Sequence, residues 1–223
     1  DLQLVSIHLG NGASVCAVNR GQSMDSSMGM TPLEGLVMGT RSGDIDPGAL
    51  IHLLRAGLTV DEVDTLLNKR SGMKGLAGAN DLRQVHAAAE TGDAEAREAL
   101  EVYVHAIRHF LGAYLVELGG ADAVVFTAGV GENDPAVREA ACADIARLGI
   151  AIDSAKNAAT RGPEDVVDLT ARYVDRRLGV EHVGGDGDRV GVGLTGFELV
   201  VSRVHGVSPL AGVLDRKVAV AVG

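Results

Sequence analysis

The stretch SIHLGNGASVCAV, Ser6 to Val18, places a glycine-rich turn between two apolar segments. Apolar residues on both sides favour two β-strands, the first beginning at Leu2. Asn11-Gly12 supplies residues that are common in hairpin turns. The turn has two interpretations at this point. It is either a plain hairpin turn or a row of backbone amides that faces phosphate.

A second glycine-rich turn lies in VVFTAGVGENDPAVRE, Val124 to Glu139, after another short apolar strand. Asp134 and Pro135 suit the N-cap and first position of a helix. The sequence therefore predicts a strand, a turn from 127 to 133, a helix that ends at Gly149, and a strand. A helix N-terminus binds anions through free amides and its dipole. An ordinary strand-to-helix turn is the alternative, and no lysine follows the glycines as in a Walker phosphate loop.

The segment GTRSGDIDP, Gly39 to Pro47, belongs to a long region rich in Gly, Thr and Asp that has little periodicity. Long loops in compact domains are commonly functional. Arg41 is the candidate for neutralising charge on a transferred phosphoryl group. Asp44 and Asp46 are candidates for supporting Arg41 or for holding Mg²⁺ through water. A loop of salt-bridged residues is the alternative.

The middle of the chain has the periodicity of amphipathic helices. Thr59 and Glu62 have the spacing of a capping box, Asp81 suits an N-cap, and Gly119-Gly120 suits a helix end. Together these signals predict helices over residues 47–56, after Thr59, over 82–90 and over 93–118.

Composition limits the classes of partner. The chain has 223 residues, 46% of them apolar and 3% aromatic, which predicts a core of small aliphatic residues. The net charge of −10 argues against a nucleic acid or an anionic membrane as partner. Cys16 and Cys142 are too few for a disulfide framework and are predicted to be buried free thiols. No apolar run is long enough to span a bilayer, and we expect a cytoplasmic location.

Two further patterns have simpler explanations. Glu101, His105 and His109 share one helix face at a spacing that metal sites use. The sequence contains no further cluster of ligands, which favours a solvated helix face. The adjacent serines of DSSMG, Asp25 to Gly29, lack the G-x-S-x-G pattern of a hydrolase.

Five segments follow one another along the chain: HLGNGAS, SMDSSMGMTPLEGLVMGTRSGDIDPG, LLNKRSGMKGLAG, NDLRQV and VVFTAGVGENDPAVRE. In this order they resemble acetate kinases, the acetokinase family. The resemblance covers about residues 2 to 160, and its most specific run is Met30 to Pro47. It implies an α/β, ribonuclease-H-like lobe of the actin, Hsp70 and sugar kinase superfamily, with a mixed sheet flanked by helices. It also implies that ATP and Mg²⁺ are used to phosphorylate acetate, giving acetyl phosphate and ADP, and that the protein is a homodimer.

The resemblance also assigns site residues. Arg41 corresponds to the residue that stabilises the transition state. The residues that line the ATP phosphates correspond to His8, Leu9, Gly10, Asn11 and Gly12. Nucleotide contacts correspond to Asp81, Leu82 and Arg83. The loop on the adenosine side corresponds to Gly129, Val130, Gly131, Glu132 and Asn133.

The chain also departs from the family, whose members are nearly twice as long. The family's N-terminal half, with its own active-site Asn, Arg, Asp and His, has no counterpart here. The family's glutamate that helps bind Mg²⁺ is not recognisable in this sequence. Glu198 lies in LTGFELVVSR, which resembles the family's segment only weakly. We expect a nucleotide-binding lobe over residues 1–160 and a divergent tail over 161–223, as in a C-terminal fragment with a shifted reading frame.

Two alternatives to acetate kinase stay open from the sequence. The first is a propionate or butyrate kinase, and GTRSGDIDP favours the acetate and propionate branch over butyrate. The second is an ATP/ADP-binding fragment that does not turn over.

Overall fold

The computed structural model describes most of the chain up to residue 182 and one later strand. The described residues form two compact units, which we call the sheet unit and the helical unit. No helix among them is long and apolar enough to cross a membrane. The described residues are 2–163, 165–171, 173–175, 180–182 and 217–221. The helical unit contains residues 10–15 and 26–110, and the sheet unit contains residues 2–9, 16–25 and the described residues from 111 onward.

The sheet unit is built on a six-stranded mixed sheet. Its strands are β1 (Gln3–Leu9), β2 (Ala13–Asn19), β3 (Gln22–Ser26), β4 (Ala123–Thr127), β5 (Val167–Asp168) and β8 (Lys217–Ala221). They lie in the order β3-β2-β1-β4-β8-β5. β4 runs parallel to β1 and antiparallel to β8, which runs parallel to β5. The mixed sheet that the sequence predicted is therefore confirmed.

Burial of alternate residues explains why β1 and β4 form the centre of this sheet. Val5, Ile7 and Leu9 of β1 have no exposed surface, and neither do Val124 and Phe126 of β4. Such alternation matches the two-residue period of a strand, so one register buries these five side chains on the same face.

The two turns that flank β2 differ. Arg20 and Gly21 join β2 to β3 and both have positive φ, 52° and 77°, as a two-residue type I′ hairpin requires. The turn between β1 and β2 occupies residues 10–12, and neither Asn11 nor Gly12 has a positive φ. Asn11-Gly12 is therefore not a type I′ turn, although hairpin-type Asn-Gly chemistry was the sequence-based expectation.

The helical unit contains the predicted helices and one more. They are α1 (Pro47–Arg55), α2 (Val60–Lys69), α3 (Gly72–Ala77), α4 (Leu82–Glu90) and the first part of α5 (Ala94–Leu118). Asp46 caps α1, Thr59 and Glu62 form the predicted capping box of α2, and Asp81 caps α4. Helix α3 was not predicted because its six residues include two glycines, which disfavour isolated helix.

The segment after β4 differs from the prediction at two points. Residues 127–133 were predicted to be a turn, but they include a short helix, α6 (Ala128–Asn133). The next helix, α7 (Pro135–Ala141), begins at the predicted N-cap but ends well before Gly149. Cys142 is its C-cap, and Asp144 then adopts a positive φ of 61°, so the helix does not resume there.

The last described elements complete the sheet unit. A short 3-10 helix (Ala146–Leu148) leads to α8 (Ser154–Ala159). Strands β6 (Tyr173–Asp175) and β7 (Val180–His182) form a separate antiparallel pair. The strand-like pieces from Val190 to Val204, including Glu198, lie outside the described residues.

Candidate functional site

In the sheet unit, the candidate site begins where β1 and β4 end side by side. The parallel register pairs His8 with Thr127, and His8 Nδ1 forms a hydrogen bond of 3.0 Å with Thr127 Oγ1. Burial lowers the pKa of His8 from its ordinary value of 6.5, which favours the neutral ring at neutral pH. Leu9, the next candidate, is fully buried, so its side chain belongs to the core.

Glu132 satisfies the first amide of α6. The backbone N–H of Ala128 donates to Glu132 Oε1 at 3.0 Å, and Ala128 has the left-handed φ of 66°. Asn133 Nδ2 donates in turn to the carbonyl of Gly129 at 2.9 Å. Two of the predicted site residues, Glu132 and Asn133, thus fold back on their own turn and fix its shape. The Ala128 amide, within the turn that the sequence predicted, therefore already has a carboxylate partner.

The two glycines of this segment have different surroundings. Gly129 is exposed, and the place of its missing Cβ has no heavy atom within 4 Å. Gly131 is buried, and its missing Cβ would lie 3.3 Å from the backbone carbon of Phe126. Gly131 therefore allows α6 to pack closely on β4. Gly129 is the position where a ligand has free access to the backbone, and half-buried Val130 lies between the two.

In the helical unit, the loop that carries Arg41 is attached to the corner between α2 and α3, which we define as residues 66–74. Backbone amides of this corner donate to the carbonyls of Met38, Gly39 and Thr40, at 2.9, 3.0 and 3.2 Å. The amide of Ser42 donates to the carbonyl of Leu67 at 3.0 Å. The loop has no regular secondary structure, but hydrogen bonds to this corner fix its backbone on both sides of Arg41.

Gly72 makes this close approach possible. Its φ is +62°, and a Cβ there would overlap the carbonyl oxygen of Met38 and lie 2.6 Å from that of Arg41. No other residue type fits both the backbone conformation and the space. The sequence-based reasoning missed Gly72. The only available signal was its place in LLNKRSGMKGLAG, one of the family segments.

The Arg41 guanidinium faces the glycine turn between β1 and β2. The position that a Cβ on Gly12 would occupy lies 3.4 Å from Arg41 Nη1. The same nitrogen donates to the carbonyl of Pro32 at 3.2 Å and to Met38 Sδ at 3.6 Å. A cation with few partners beside an accessible backbone turn suits the binding of an anionic ligand.

Asp44 and Asp46 do not support Arg41. Asp44 Oδ1 accepts from the amide of Gly35 at 2.8 Å, and Asp46 Oδ1 accepts from the amide of Gly48 at 2.7 Å. The prediction that they act on Arg41 is therefore wrong in the part of the chain that the structure describes. Short acidic side chains readily accept local backbone amides, and both do so here.

Asn11 links the glycine turn to two other segments of the helical unit. Its carbonyl accepts from the amide of Gly39 at 3.0 Å. Its side-chain oxygen accepts from Asn80 Nδ2 at 3.2 Å. Gly10, which precedes it, donates its amide to the carbonyl of Gly12 at 2.9 Å. The turn, the Arg41 loop and the start of α4 therefore meet at Asn11.

The three predicted nucleotide contacts next to Asn80 have different environments. Asp81 caps α4 by accepting from the amide of Arg83 at 3.0 Å, and Arg83 Nη2 pairs with Asp81 Oδ2 at 2.6 Å. The hydrogen bonds from Arg83 lower the pKa of Asp81 below its ordinary value of 3.8. The Arg83 side chain is 90% exposed, whereas Leu82 is buried. Arg83 is therefore accessible to a ligand, and the Leu82 side chain is not.

Metal ligands are not assembled in the described part of the chain, where no three His, Cys, Asp or Glu residues are placed to hold an ion. Glu101, His105 and His109 are all exposed. We therefore assign no described residue as a ligand of Mg²⁺.

The two cysteines and one of the adjacent serines, Ser27, lie in half-buried or buried positions. Both cysteines are free thiols, Cys142 buried and Cys16 half-buried. Burial raises the pKa of Cys16 above its ordinary value of 9.0. Ser27 of DSSMG is buried and accepts the amide of Val15 at 2.9 Å.

Comparison with known proteins agrees with this arrangement of segments. The model of the acetokinase family matches residues 1–175, more than half of the chain. The chain belongs to the acetokinase family. Acetokinases among the curated proteins include those named acetate kinase from Leifsonia xyli subsp. xyli and from Corynebacterium jeikeium. They are 61% identical over 160 residues and 54% identical over 163 residues, covering 71% and 73% of this chain.

Two solved structures of acetokinases have a similar fold. The acetate kinase of Porphyromonas gingivalis is 45% identical with a TM-score of 0.71, over 73% of this chain and 41% of that one. A propionate kinase of Francisella tularensis subsp. tularensis is 43% identical with a TM-score of 0.69, over 71% of this chain and 42% of that one. The α/β kinase fold is thereby confirmed.

The match to these relatives is partial on their side. The chain spans 40% of the length of both curated acetate kinases, from Leifsonia xyli and from Corynebacterium jeikeium. This match establishes the family and the fold of the chain.

Proposed function

We propose that the chain acts as an acetate kinase. The reaction transfers the γ-phosphoryl group of ATP to acetate and gives acetyl phosphate and ADP. Membership of the acetokinase family supports this function, as do curated relatives that are named acetate kinase at 61% and 54% identity.

The observation that carries the proposal is the position of Arg41 against Gly12. A guanidinium nitrogen lies 3.4 Å from the place of the missing Gly12 Cβ, on a loop whose backbone is held by the α2–α3 corner. Phosphoryl transfer has little covalent chemistry for the protein to perform, so catalysis depends on positioned charge. A fixed arginine beside an accessible glycine turn provides such a charge.

The other candidate residues take nucleotide-binding roles in the proposal. In the proposal, the backbone of residues 8–12 lines the phosphates and Arg83, paired with Asp81, contacts the nucleotide. The exposed backbone at Gly129 accepts the adenosine side, with the turn shaped by Glu132 and Asn133. Mg²⁺, when bound, would neutralise charge on the β- and γ-phosphates.

Two alternatives have support of their own. A propionate kinase is favoured by the Francisella tularensis structure, whose similarity to this chain nearly equals that of the Porphyromonas gingivalis acetate kinase. An ATP/ADP-binding module without turnover is favoured by the limited span of the match, 40% of the first curated relative.

The first experiment separates these functions with the 223-residue chain. ADP binding is measured by isothermal titration, and acyl phosphate is trapped with hydroxylamine after incubation with ATP and acetate or propionate. We expect ADP binding and a larger hydroxamate yield with acetate. A larger yield with propionate supports the first alternative, and ADP binding without hydroxamate supports the second. No ADP binding at all overturns the nucleotide-site proposal.

The second experiment tests Arg41 directly. In a form of the protein that turns over, we expect Arg41→Ala to lower kcat by about 10³-fold, as loss of an arginine finger does, with little change in ADP affinity. Arg55→Ala is the matched control because Arg55 lies exposed at the end of α1 in the same unit. Unchanged turnover in Arg41→Ala would sink the role assigned to this residue.

Three further expectations belong to the proposal: the location of the protein, its oligomeric state and the division of the chain. The protein acts in the cytoplasm as a homodimer. Residues 1–160 form the nucleotide-binding lobe, and residues 161–223 form the divergent tail. All three stay predictions.

A further inference from the structure

The side chain of Arg138, on α7, is fully buried next to the predicted adenosine-side turn. Its Nη1 donates to the carbonyl of Gly131 at 2.9 Å. Its Nε donates to Asn157 Oδ1 at 2.7 Å, and its Nη2 donates to the carbonyls of Asn157 and Thr160 at 2.9 and 2.8 Å. One guanidinium thus joins α6 to the end of α8, within the sheet unit.

Asn157 is itself fixed, so Arg138 has a rigid support. Asn157 is buried, and its Nδ2 donates to the carbonyl of Pro135 at 2.8 Å and to Glu139 Oε2 at 3.0 Å. Glu139 Oε1 accepts from Ser154 Oγ at 2.7 Å. With Nδ2 donating twice, Oδ1 must face Arg138, and the amide orientation is determined.

The partners of this buried cation are unusual. Within the described residues, its hydrogen-bond acceptors are all uncharged amide oxygens. Burial lowers the pKa of Arg138 below its ordinary value, and the charge of Asp134 acts in the opposite direction without a hydrogen bond to the guanidinium. An arginine nevertheless stays protonated in proteins. Burying a charge without a hydrogen-bonded carboxylate is costly, and aliphatic residues of similar size would fill the space without that cost. The hydrogen bond to the Gly131 carbonyl is one of the four interactions that offset this cost.

We propose that Arg138 is a positioning residue for nucleotide binding, which holds the Gly131 carbonyl and thereby fixes residues 129–133 for the adenosine side of the nucleotide. This inference rests on the proposed function. The planar fork of arginine binds Gly131 and Asn157 at the same time, whereas a lysine ammonium keeps the charge without that fork. Charge alone is therefore not sufficient for the role.

Arg138→Lys tests the inference by comparing two ligands of the 223-residue chain, ADP and inorganic tripolyphosphate. We expect ADP to bind about tenfold more weakly, the effect of losing one hydrogen bond from a charged group. Tripolyphosphate lacks adenosine, and its affinity should change by less than about twofold. Arg147→Lys is the control, because Arg147 is exposed on the 3-10 helix. A merely structural role for Arg138 would weaken both ligands equally, which would overturn the inference.

Hydrogen exchange provides a readout that needs no ligand. In Arg138→Lys, the amides of residues 129–133 should exchange faster than in the parent chain, while those in the centre of α5 stay protected. Asn157→Ala leaves Arg138 in place but removes the Nε acceptor, and it should give a smaller change of the same kind. Unchanged exchange in both folded variants overturns the inference. If the parent chain binds no ADP, the proposed function fails, and exchange still decides whether Arg138 holds the turn.

Discussion

Gly12 lies within contact distance of the Arg41 side chain: the place of its missing Cβ lies 3.4 Å from Arg41 Nη1. Because Gly12 has no positive φ, alanine fits its backbone. We expect Gly12→Ala to keep or raise the free energy of unfolding, by up to about 1 kcal/mol, since alanine has less freedom in the unfolded chain. The new methyl group contacts Arg41, so ADP should bind more weakly in isothermal titration.

Gly112→Ala is the matched control for this substitution. Gly112 lies within α5 and has no heavy atom within 4 Å of its missing Cβ. The control should be stabilised by about 0.5–1 kcal/mol, the usual helix preference for alanine over glycine, with ADP affinity unchanged. Equal ADP affinity in the Gly12 and Gly112 variants would contradict a ligand site at Arg41.

Gly72 holds the α2–α3 corner against the Arg41 loop. A Cβ there would overlap the Met38 carbonyl at a φ of +62°, so we expect Gly72→Ala to lower the free energy of unfolding by about 3 kcal/mol or more. Gly78→Ala should cost only about 1 kcal/mol, since its φ of +72° is similar but nothing lies within 4 Å. Urea denaturation measures both. Equal losses in the free energy of unfolding for the two variants would mean that the close contact between the corner and the loop does not stabilise the protein.

Ala128 adopts a backbone conformation that suits glycine. Its φ of 66° costs a residue with a Cβ about 1–2 kcal/mol, and glycine loses about 0.5–1 kcal/mol more chain entropy on folding. We therefore expect Ala128→Gly to raise the free energy of unfolding by about 0.5 kcal/mol. Ala128→Val is the opposing control and should lower it, because a branched side chain tolerates this region poorly. Destabilisation in Ala128→Gly would show that the residue is not strained.

His8 makes stability depend on pH. Burial lowers the pKa of folded His8 below 6.5, so the unfolded state takes up its proton first as the pH falls. The free energy of unfolding should therefore decrease as the pH drops through about 6.5 and level off below the folded pKa. His8→Gln should lose this component of the pH dependence, as urea denaturation between pH 8 and pH 5, about the range of histidine titration, would measure.

Thr127→Val separates the two contributions to the environment of His8. It removes the hydrogen bond of 3.0 Å to the ring but leaves the ring buried. Because burial is the cause of the lowered pKa, the pH dependence of Thr127→Val should match that of the parent chain. A pH dependence as flat as that of His8→Gln would assign the effect to the hydrogen bond instead.

Local sequence patterns predicted the elements that local physics stabilises. The capping box at Thr59 and Glu62, the N-cap at Asp81 and the Asp134-Pro135 helix start are all present. Each depends on residues within a few positions of one another, so their spacing is visible in the chain. The break after Ala141 was not predicted, because apolar periodicity continues to Leu148 although that residue is 59% exposed.

The uses of individual polar side chains were much less predictable. Asp44 and Asp46 were candidates for supporting Arg41 or for holding Mg²⁺ through water, but an oxygen of each accepts a nearby backbone amide. Arg138 stood in a family segment without an assigned role, and its partner Asn157 lies nineteen positions away. Which donor meets which acceptor depends on how helices and strands pack, and no spacing in the sequence records that.

The sequence by itself determined the family, the strands on either side of SIHLGNGASVCAV and the long helices, because periodicity, caps and motif order are local or linear properties. Only the tertiary structure decided that Gly129 is open while Gly131 is buried, that Gly72 packs against the Arg41 loop, and that Arg138 donates a hydrogen bond to the Gly131 carbonyl. These depend on space and hydrogen-bond partners contributed by distant segments. They are properties of packing, which exist only once the chain has folded.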